Sequence, residues 1–350
     1  MTARLVAPSV VAALAVVACG GGGDTRDGRA AAARVTTVAT GLRVPWGLAF
    51  LPGGDALVAE RDTGRIVRIA ATGGRRRTVM RVPGVAGGTG GEGGLLGLAV
   101  APTYARDRLV YAYYTTARDN RIARFRLGGR VHPIVTGLRA GLIHDGGRIA
   151  FGPDGKLYAG VGEAGAARLA QDPGARNGKI LRMNPDGSAP PDNPRRGSLV
   201  WSSGRRNVQG LAWDARGRLW ASEFGQDRRD ELNLVRKGDN GGWPLVEGVG
   251  PTRGGRFSNP KATWATSEAS PSGAAIIGST LYLGALRGQA VLRLRLRGDR
   301  VTKLAPLLRG HGRIRTVARA PDGTLWVTTS NRDGRGSPRP GDDRILRIRV

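Results

Sequence analysis

A short segment with a small residue in its third position recurs six times in this 350-residue chain and constrains the fold more than any other feature. The copies read G-L-A-F at Gly47, G-L-A-V at Gly97, R-I-A-F at Arg148, G-L-A-W at Gly210, G-A-A-I at Gly273 and T-V-A-R at Thr316. Measured between their alanines, from Ala49 to Ala318, successive copies lie 50, 51, 62, 63 and 43 residues apart. Spacing on this scale is typical of repeat architectures, in which each repeat is one supersecondary unit.

Each copy is usually followed by a turn and further strands. Asp-Gly and Arg-Gly pairs, as in P-D-G-K-L-Y at Pro153 and A-R-G-R-L-W at Ala215, supply the positive φ that a hairpin turn needs. A strand of alternating arginine and aliphatic residues often ends the unit, such as R-I-L-R-I-R-V at Arg344, and this alternation puts the aliphatic residues on the packed face. The sequence therefore predicts an all-β fold, a six-bladed β-propeller of antiparallel sheets, over residues 36–350.

Two features indicate how such a propeller would be arranged. The glycines and alanines of the repeated segment favour an inner strand that lines a crowded central channel. The two longest intervals contain extra loops, over residues 163–205 and 224–272, which are rich in Gly, Pro, Asn and Asp. Insertions on one face of a propeller usually build its binding site, so we expect the site on that face.

Residues 1–35 are predicted to lie outside the propeller. Residues 1–18 have the pattern of a lipoprotein signal peptide, because Arg4 precedes an apolar run that is too short to span a membrane and V-V-A precedes Cys19. Lipid attachment to Cys19 would anchor an exported cell-envelope protein, with residues 19–35 as a glycine-rich flexible tether. The alternative is a plain secretory signal and a secreted or periplasmic protein. Since Cys19 is the sole cysteine, no disulfide bond can stabilise the fold.

The chain is strongly basic, with a formal net charge of +28. Such a charge suggests nucleic acid as a partner, but the arginines are spread over the whole length and form no basic stripe or nucleic-acid module pattern. Together with the predicted export, this argues against nucleic-acid binding. We interpret the charge as a solvated arginine-rich surface, which is compatible with anionic lipids, cell-wall polymers or an acidic small molecule.

Eight motifs follow one another in order from about Gly41 to the C-terminus: P-W-G-L-A-F-L-P, G-E-G-G-L-L-G-L-A, H-D-G-G-R-I-A-F-G-P-D-G-K-L-Y, N-G-K-I-L-R-M-N-P-D-G, R-N-V-Q-G-L-A-W, D-E-L-N, G-W-P and G-R-I-R. Each motif is weak alone, but the ordered set is specific. It resembles the soluble quinoprotein sugar dehydrogenases, the glucose/sorbosone dehydrogenase family that uses pyrroloquinoline quinone. The resemblance implies a six-bladed propeller, in agreement with the repeat count.

The resemblance implies residues that act on the substrate and on the quinone. The proton acceptor of the family falls on His144, and a neutral imidazole is suited to removing a hydroxyl proton. Arg206 and Asn207 match the pair that contacts the cofactor, where a guanidinium and an amide can stabilise the negative charge gained on reduction. The neighbouring Arg205 is interpreted as a surface residue.

Further cofactor contacts are implied at Glu92, Arg313 and Arg315. The two arginines of G-R-I-R point the same way if the segment is extended, so both could pair with cofactor carboxylates. Glu92 stands where characterised members have a glutamine that touches the cofactor, and a carboxylate there would repel the quinone unless it is protonated or paired. A lysine that binds the cofactor in some members has no counterpart near Leu286 and Arg287.

The loop over residues 223–233 is the candidate calcium site, because calcium binds carboxylate and backbone carbonyl oxygens. The resemblance places a cofactor-linking calcium on the carbonyls of Gly225 and Gln226. A second calcium site of some members falls on Glu231 and the carbonyl of Gly241. A solvated acidic turn, paired with neighbouring arginines, is the open alternative for Glu231.

The leading hypothesis is a quinoprotein oxidoreductase that oxidises an aldose or a related alcohol at a hydroxyl. His144 would act as general base, hydride would pass to pyrroloquinoline quinone, and an external acceptor would remove the electrons. Two alternatives stay open. One is a non-catalytic cell-surface binding propeller that has lost the cofactor, which Glu92 favours. The other is a metal-dependent lactonase, which needs several carboxylate and amide ligands around one metal. The sequence specifies neither the sugar nor the oligomeric state.

Overall fold

Six four-stranded antiparallel sheets account for nearly all the regular structure in the computed structural model, which describes residues 34–88 and 90–350. The first strand of each sheet contacts the first strands of the two neighbouring sheets, and contact between β2 and β22 closes the ring. The six-bladed β-propeller predicted from the repeat is confirmed.

The strands of the first three blades are β2 (Pro45–Phe50), β3 (Ala56–Glu60), β4 (Arg65–Ile69), β5 (Arg76–Arg81); β6 (Leu95–Val100), β7 (Val110–Thr115), β8 (Asn120–Phe125), β9 (His132–Leu138); β10 (Ile149–Phe151), β11 (Leu157–Val161), β12 (Lys179–Met183) and β13 (Val200–Ser202). The strands of the last three blades are β14 (Val208–Trp213), β15 (Leu219–Glu223), β16 (Arg229–Val235), β17 (Ala262–Ala265); β18 (Pro271–Ile277), β19 (Thr280–Ala285), β20 (Ala290–Arg297), β21 (Arg300–Arg309); β22 (Ile314–Arg319), β23 (Leu325–Thr329), β24 (Ile345–Ile348) and β1 (Val35–Ala39). The helical elements are α1 (Tyr104–Asp107) and a 3₁₀ turn (Ala167–Ala170).

The first and last strands of the chain belong to the same blade, the sixth. Strand β1 pairs antiparallel with β24, so the first strand of the chain forms the outer edge of the blade that the last strands build. Because β1 begins at Val35, its first residue belongs to the segment interpreted as a tether. The predicted signal peptide and Cys19 lie outside the described residues. Among the residues that are described, no helix is long and apolar enough to cross a membrane.

The first strands surround a central channel, as the repeat predicts. Five of its six alanines line the channel: Ala49, Ala99, Ala150, Ala275 and Ala318. The glycines allow the first strands to approach each other closely, because a Cβ on Gly47 would lie 2.5 Å from the carbonyl oxygen of Leu96. The aliphatic residues pack between adjacent blades; one cluster, for example, joins Tyr113 of β7 to Val161 of β11.

Candidate active site

A polar cavity of about 410 Å³ lies at one mouth of the propeller. Its lining includes six residues that the sequence singled out: Glu92, His144, Arg206, Gly225, Gln226 and Arg313. Each of them lies just before the first strand of a blade or just after the second strand of a blade. These two positions are at the same end of an antiparallel hairpin, so residues far apart in sequence meet there. The volume is within the range of small-molecule sites, about 300–1,000 Å³.

His144 lies in the wall of the cavity, in a turn ahead of β10. Its φ of 61° is in the left-handed region that non-glycine residues seldom adopt. Its backbone N–H donates to Glu92 Oε2 over 2.8 Å, and Arg206 Nη2 lies 2.8 Å from its Nε2. Because a guanidinium can only donate, Nε2 is the acceptor, and Nδ1 carries the proton that is donated to Glu163. The imidazole is therefore held with its basic nitrogen on the side of Arg206.

Glu163 is a candidate site residue that the sequence analysis missed. It is buried, and it contacts Nδ1 of His144 through Oε1. The register of the β10–β11 hairpin could have revealed it. Ile149 of β10 pairs with Ala159 of β11, so His144, before β10, and Glu163, after β11, lie at the same end of the hairpin. A carboxylate at Nδ1 fixes the tautomer of a histidine and stabilises its protonated form.

Arg206 is fixed by neutral acceptors on one side and by the imidazole on the other. Its Nε donates to Gln226 Oε1 over 3.0 Å, and its Nη1 donates to the carbonyl oxygen of Phe224 over 3.2 Å. Its guanidinium carbon lies 5.5 Å from the centre of the Trp243 ring. Burial lowers the pKa of Arg206 although several glutamates act in the opposite direction. The site thus holds a poorly solvated positive charge beside His144.

Asn207 and Arg315 lie behind the wall of the cavity. Asn207 is fully buried and accepts the N–H of Gly146 over 3.1 Å. Arg315 is also buried and donates to Gln209 Oε1 over 2.9 Å. Neither side chain lines the cavity in this structure, and their roles as cofactor contacts stay predictions.

Arg313 lines the cavity, and Asp333 holds it in place. Arg313 Nε donates to Asp333 Oδ2 over 3.0 Å, and Arg315 Nη2 lies 3.8 Å from the same oxygen. The two arginines thus reach one carboxylate, as their spacing in an extended segment suggests, but only Arg313 reaches the cavity.

Glu92 is paired, because both of its carboxylate oxygens accept hydrogen bonds. Its Oε1 accepts a hydrogen bond from Arg335 Nη1 over 2.9 Å, and its Oε2 accepts the His144 N–H. Burial alone would raise the pKa of Glu92, but the His144 N–H and the charge of Arg335 lower it below its ordinary value. Arg335 also lines the cavity, and so does Arg287, for which the sequence analysis found no role. Two further cations thus line the cavity, Arg287 and Arg335.

The loop after β15 lines the cavity with Gly225 and Gln226. Glu247 holds this loop, because its Oε1 accepts the N–H groups of residues 226–229 over 2.9, 3.1, 2.9 and 3.0 Å. Among the described residues, no donor bonds to the carbonyls of Gly225 and Gln226. The pair can therefore serve as cation ligands. Across the same residues, no group of three or more His, Cys, Asp or Glu side chains could hold a metal ion.

Arg205 is buried rather than exposed, so its interpretation as a surface residue is wrong. It is 1% exposed, and its Nη1 lies 4.0 Å from Glu223 Oε1. Burial raises the pKa of Glu223 to about 7 although Arg205 opposes this. Glu231 is buried beside Glu223, and a Cβ on Gly241 would lie 2.8 Å from Arg205 Nη1. A guanidinium therefore stands where the resemblance implies the second calcium, and the roles of Glu231 and Gly241 as calcium ligands stay predictions.

Together, these features define a propeller with a small-molecule site at one mouth, built from a buried His–Glu pair and several arginines. The chain belongs to the glucose/sorbosone dehydrogenase family, since the family model described as Glucose / Sorbosone dehydrogenase matches residues 42–346. An aldose sugar dehydrogenase of Escherichia coli is 32% identical over 330 residues, covering 83% of this chain and 88% of the relative.

Solved structures agree with this assignment. The PQQ-bound form of an aldose sugar dehydrogenase from Streptomyces coelicolor superposes with a TM-score of 0.84 at 51% identity, covering 90% of this chain and 98% of that one. A putative oxidoreductase (glucose dehydrogenase) from Thermus thermophilus has a TM-score of 0.84 at 45% identity, covering 91% of this chain and all of that one.

Proposed function

We propose that this protein is a quinoprotein oxidoreductase that oxidises an aldose or a related alcohol at a hydroxyl group. The observation that carries the proposal is the convergence of His144 with four arginines, Arg206, Arg287, Arg313 and Arg335, around one cavity. The family membership and the quinone-bound relative support it. A non-catalytic binding propeller would not need an imidazole whose Nδ1 proton is fixed by a buried carboxylate.

The residues of the cavity fit pyrroloquinoline quinone. The quinone carries three carboxylates, and arginines are the side chains best suited to pair with carboxylates. Glu92 does not oppose this, because Arg335 offsets its charge and the His144 N–H donates to its second oxygen. When bound, the quinone would accept the hydride that the sugar gives up.

The proton of the sugar hydroxyl would go to Nε2 of His144. Arg206 now contacts that nitrogen, so this contact must be exchanged for the substrate hydroxyl before the base can act. Glu163 would hold the Nδ1 proton and stabilise the imidazolium that forms. Arg206 would remain in the wall, where its charge favours the negative charge that develops on reduction.

We propose a single calcium at the site, on the carbonyl oxygens of Gly225 and Gln226. Their lack of hydrogen-bond donors in the described structure supports this. A second calcium at Glu231 is disfavoured, because a divalent ion beside the Arg205 guanidinium would place like charges together.

An assay with an artificial dye acceptor tests the proposed function. The purified protein is incubated with pyrroloquinoline quinone and calcium, and dye reduction is measured against a panel of aldoses. The proposal expects reduction that needs both the quinone and a sugar. Quinone binding without turnover on any sugar or alcohol would favour a binding module, and lactone hydrolysis without quinone would favour a metal-dependent lactonase.

Arg335→Ala is expected to weaken quinone affinity by about tenfold, since one charge-assisted contact is lost and Glu92 then faces the quinone carboxylates. The matched variant Glu92→Gln should bind the quinone at least as well as the wild type. In the double variant, the part of the loss that comes from the uncovered Glu92 carboxylate should be restored. Calorimetric titration measures all three, and equal losses in the single and double variants would contradict the pairing.

Glu163→Gln is expected to lower kcat by about tenfold or more with little change in KM, because an amide can donate to Nδ1 and so select the wrong tautomer. Glu163→Asp should recover part of the rate, since it retains the charge. A KM change without a kcat change would show that Glu163 positions the substrate rather than the base.

We also propose export and lipid attachment at Cys19, on the sequence pattern alone. Mass spectrometry of the mature N-terminus tests this: a diacylglyceryl cysteine is expected, and an unmodified terminus would indicate a secreted protein.

A further inference from the structure

A second cavity occupies the central channel, on the opposite side of the propeller from the candidate active site. Its volume is about 410 Å³, and its walls are formed by the later residues of the first strands, including Ala49, Ala99 and Ala150. The active-site cavity is instead lined by residues that precede those strands, and the two cavities share no lining residue.

The channel cavity has a cationic floor. Arg148 lines it and is only 8% exposed. Its Nε donates to the carbonyl oxygen of Gln209 over 2.7 Å, and its Nη2 donates to Thr316 Oγ1 over 3.1 Å. Its guanidinium carbon lies 4.2 Å from the centre of the Trp46 ring. These partners are all neutral.

Arg148 has no counter-ion in the described part of the chain. No carboxylate there forms an ion pair with it, and its Nη1 makes no hydrogen bond. A second buried arginine, Arg315, adds to the positive charge, because its guanidinium carbon lies 5.6 Å from the centre of the same Trp46 ring. Burial and the charge of Arg315 lower the pKa of Arg148 to about 9, which leaves it protonated at neutral pH. A buried charge without a partner is costly, so an anion in the channel would be stabilising.

The residues that line the cavity limit which kinds of anion it can bind. Alanine, valine, leucine, isoleucine and phenylalanine side chains form the walls, and the exposed Arg319 lies among them. Thr316 Oγ1 already accepts a hydrogen bond from Arg148 and donates one to the carbonyl oxygen of Trp46. A hydroxylated sugar acid would leave its hydroxyls unpaired against the apolar walls, and a polyanion would place more than one charge beside the one guanidinium at the floor, because Arg319 lies at the rim. A ligand with one carboxylate and an apolar chain can pair with Arg148 at the floor and pack against the apolar walls.

We propose that the channel cavity binds an aliphatic monocarboxylate, with its carboxylate on Arg148 and its chain along the apolar walls. This site is separate from the proposed quinone site and does not depend on it. Recognition of the carboxylate rests on the neutral environment of Arg148, on its Nη1, which makes no hydrogen bond, and on the apolar side chains of the first strands.

Calorimetric titration with octanoate tests the proposal. We expect one octanoate per chain, with acetate binding at least about tenfold more weakly because it lacks the apolar chain, and with octanol showing no saturable binding because it lacks the charge. Acetate or chloride binding as tightly as octanoate would overturn the assignment of an aliphatic ligand. The absence of saturable octanoate binding would overturn the site.

Two arginine variants locate the carboxylate. Arg148→Met should weaken octanoate binding by about tenfold or more, whereas Arg319→Met, which removes an exposed arginine lining the same cavity, should retain most of the affinity. The reverse pattern would place the carboxylate at the rim and overturn the role of Arg148.

A crystal of the wild-type protein soaked with 8-bromooctanoate gives a readout that does not require Arg148→Met to fold. Anomalous bromine density within the channel, with the carboxylate next to Arg148, is expected. Bromine density at any other site alone, or none at a saturating concentration, would overturn the proposal.

Discussion

Replacing His144 with alanine should lower kcat of the quinone-loaded protein by about 10²- to 10⁴-fold, the usual contribution of a general base. Among the described residues, His144 is the one cavity-lining imidazole, and a carboxylate at Nδ1 leaves its Nε2 as the basic nitrogen. Stopped-flow reduction of the bound quinone by an aldose measures this step without interference from the dye.

His132→Ala is the matched control for His144→Ala. His132 is exposed on β9 and does not line the cavity, so its replacement should leave kcat unchanged. Wild-type turnover in His144→Ala would show that another group removes the proton, and the proposed role of His144 would be lost.

Arg205→Ala should destabilise the fold by about 3–5 kcal/mol, because removing one partner of a buried ion pair leaves the other charge uncompensated. Glu223 and Glu231 are both buried, and Arg205 is the cation beside them. Urea unfolding followed by tryptophan fluorescence measures the loss. Arg228→Ala is the control, since Arg228 is 72% exposed in its pair with Glu247 and should contribute within about 1 kcal/mol.

The loss in Arg205→Ala should also depend on pH. The pKa of Glu223 is raised above its ordinary value to about 7, so this carboxyl favours its neutral form in the folded protein and lowers stability as pH rises toward 7. Without Arg205 that penalty grows, so the difference between variant and wild type should be larger at pH 8 than at pH 5. A loss that is small and constant across this range would contradict the buried charge cluster.

The fold could be predicted from the sequence because every blade repeats one pattern. The small residues of the first strands and the hairpin turns are local signals, and the structure places those strands around the channel. His144 and Arg206 needed the resemblance, since a lone histidine or one arginine among 55 basic residues has no distinctive local pattern.

The residues that the sequence did not reveal mostly lie in loops, or their role depends on how deeply they are buried. Arg335 and Glu247 lie in irregular segments where no periodicity indicates what they contact. Arg205 was misread because an arginine next to a turn looks exposed unless its buried carboxylate partners are known. Glu163 was the exception, since hairpin register alone could have brought it to His144.

Titration of pyrroloquinoline quinone into the purified protein, with and without calcium, tests the central claim most directly. We expect saturable binding of one quinone per chain that requires calcium and that Arg206→Met weakens by about tenfold. No saturable binding with calcium present, or binding that Arg206→Met leaves unchanged, would contradict a quinone site in this cavity.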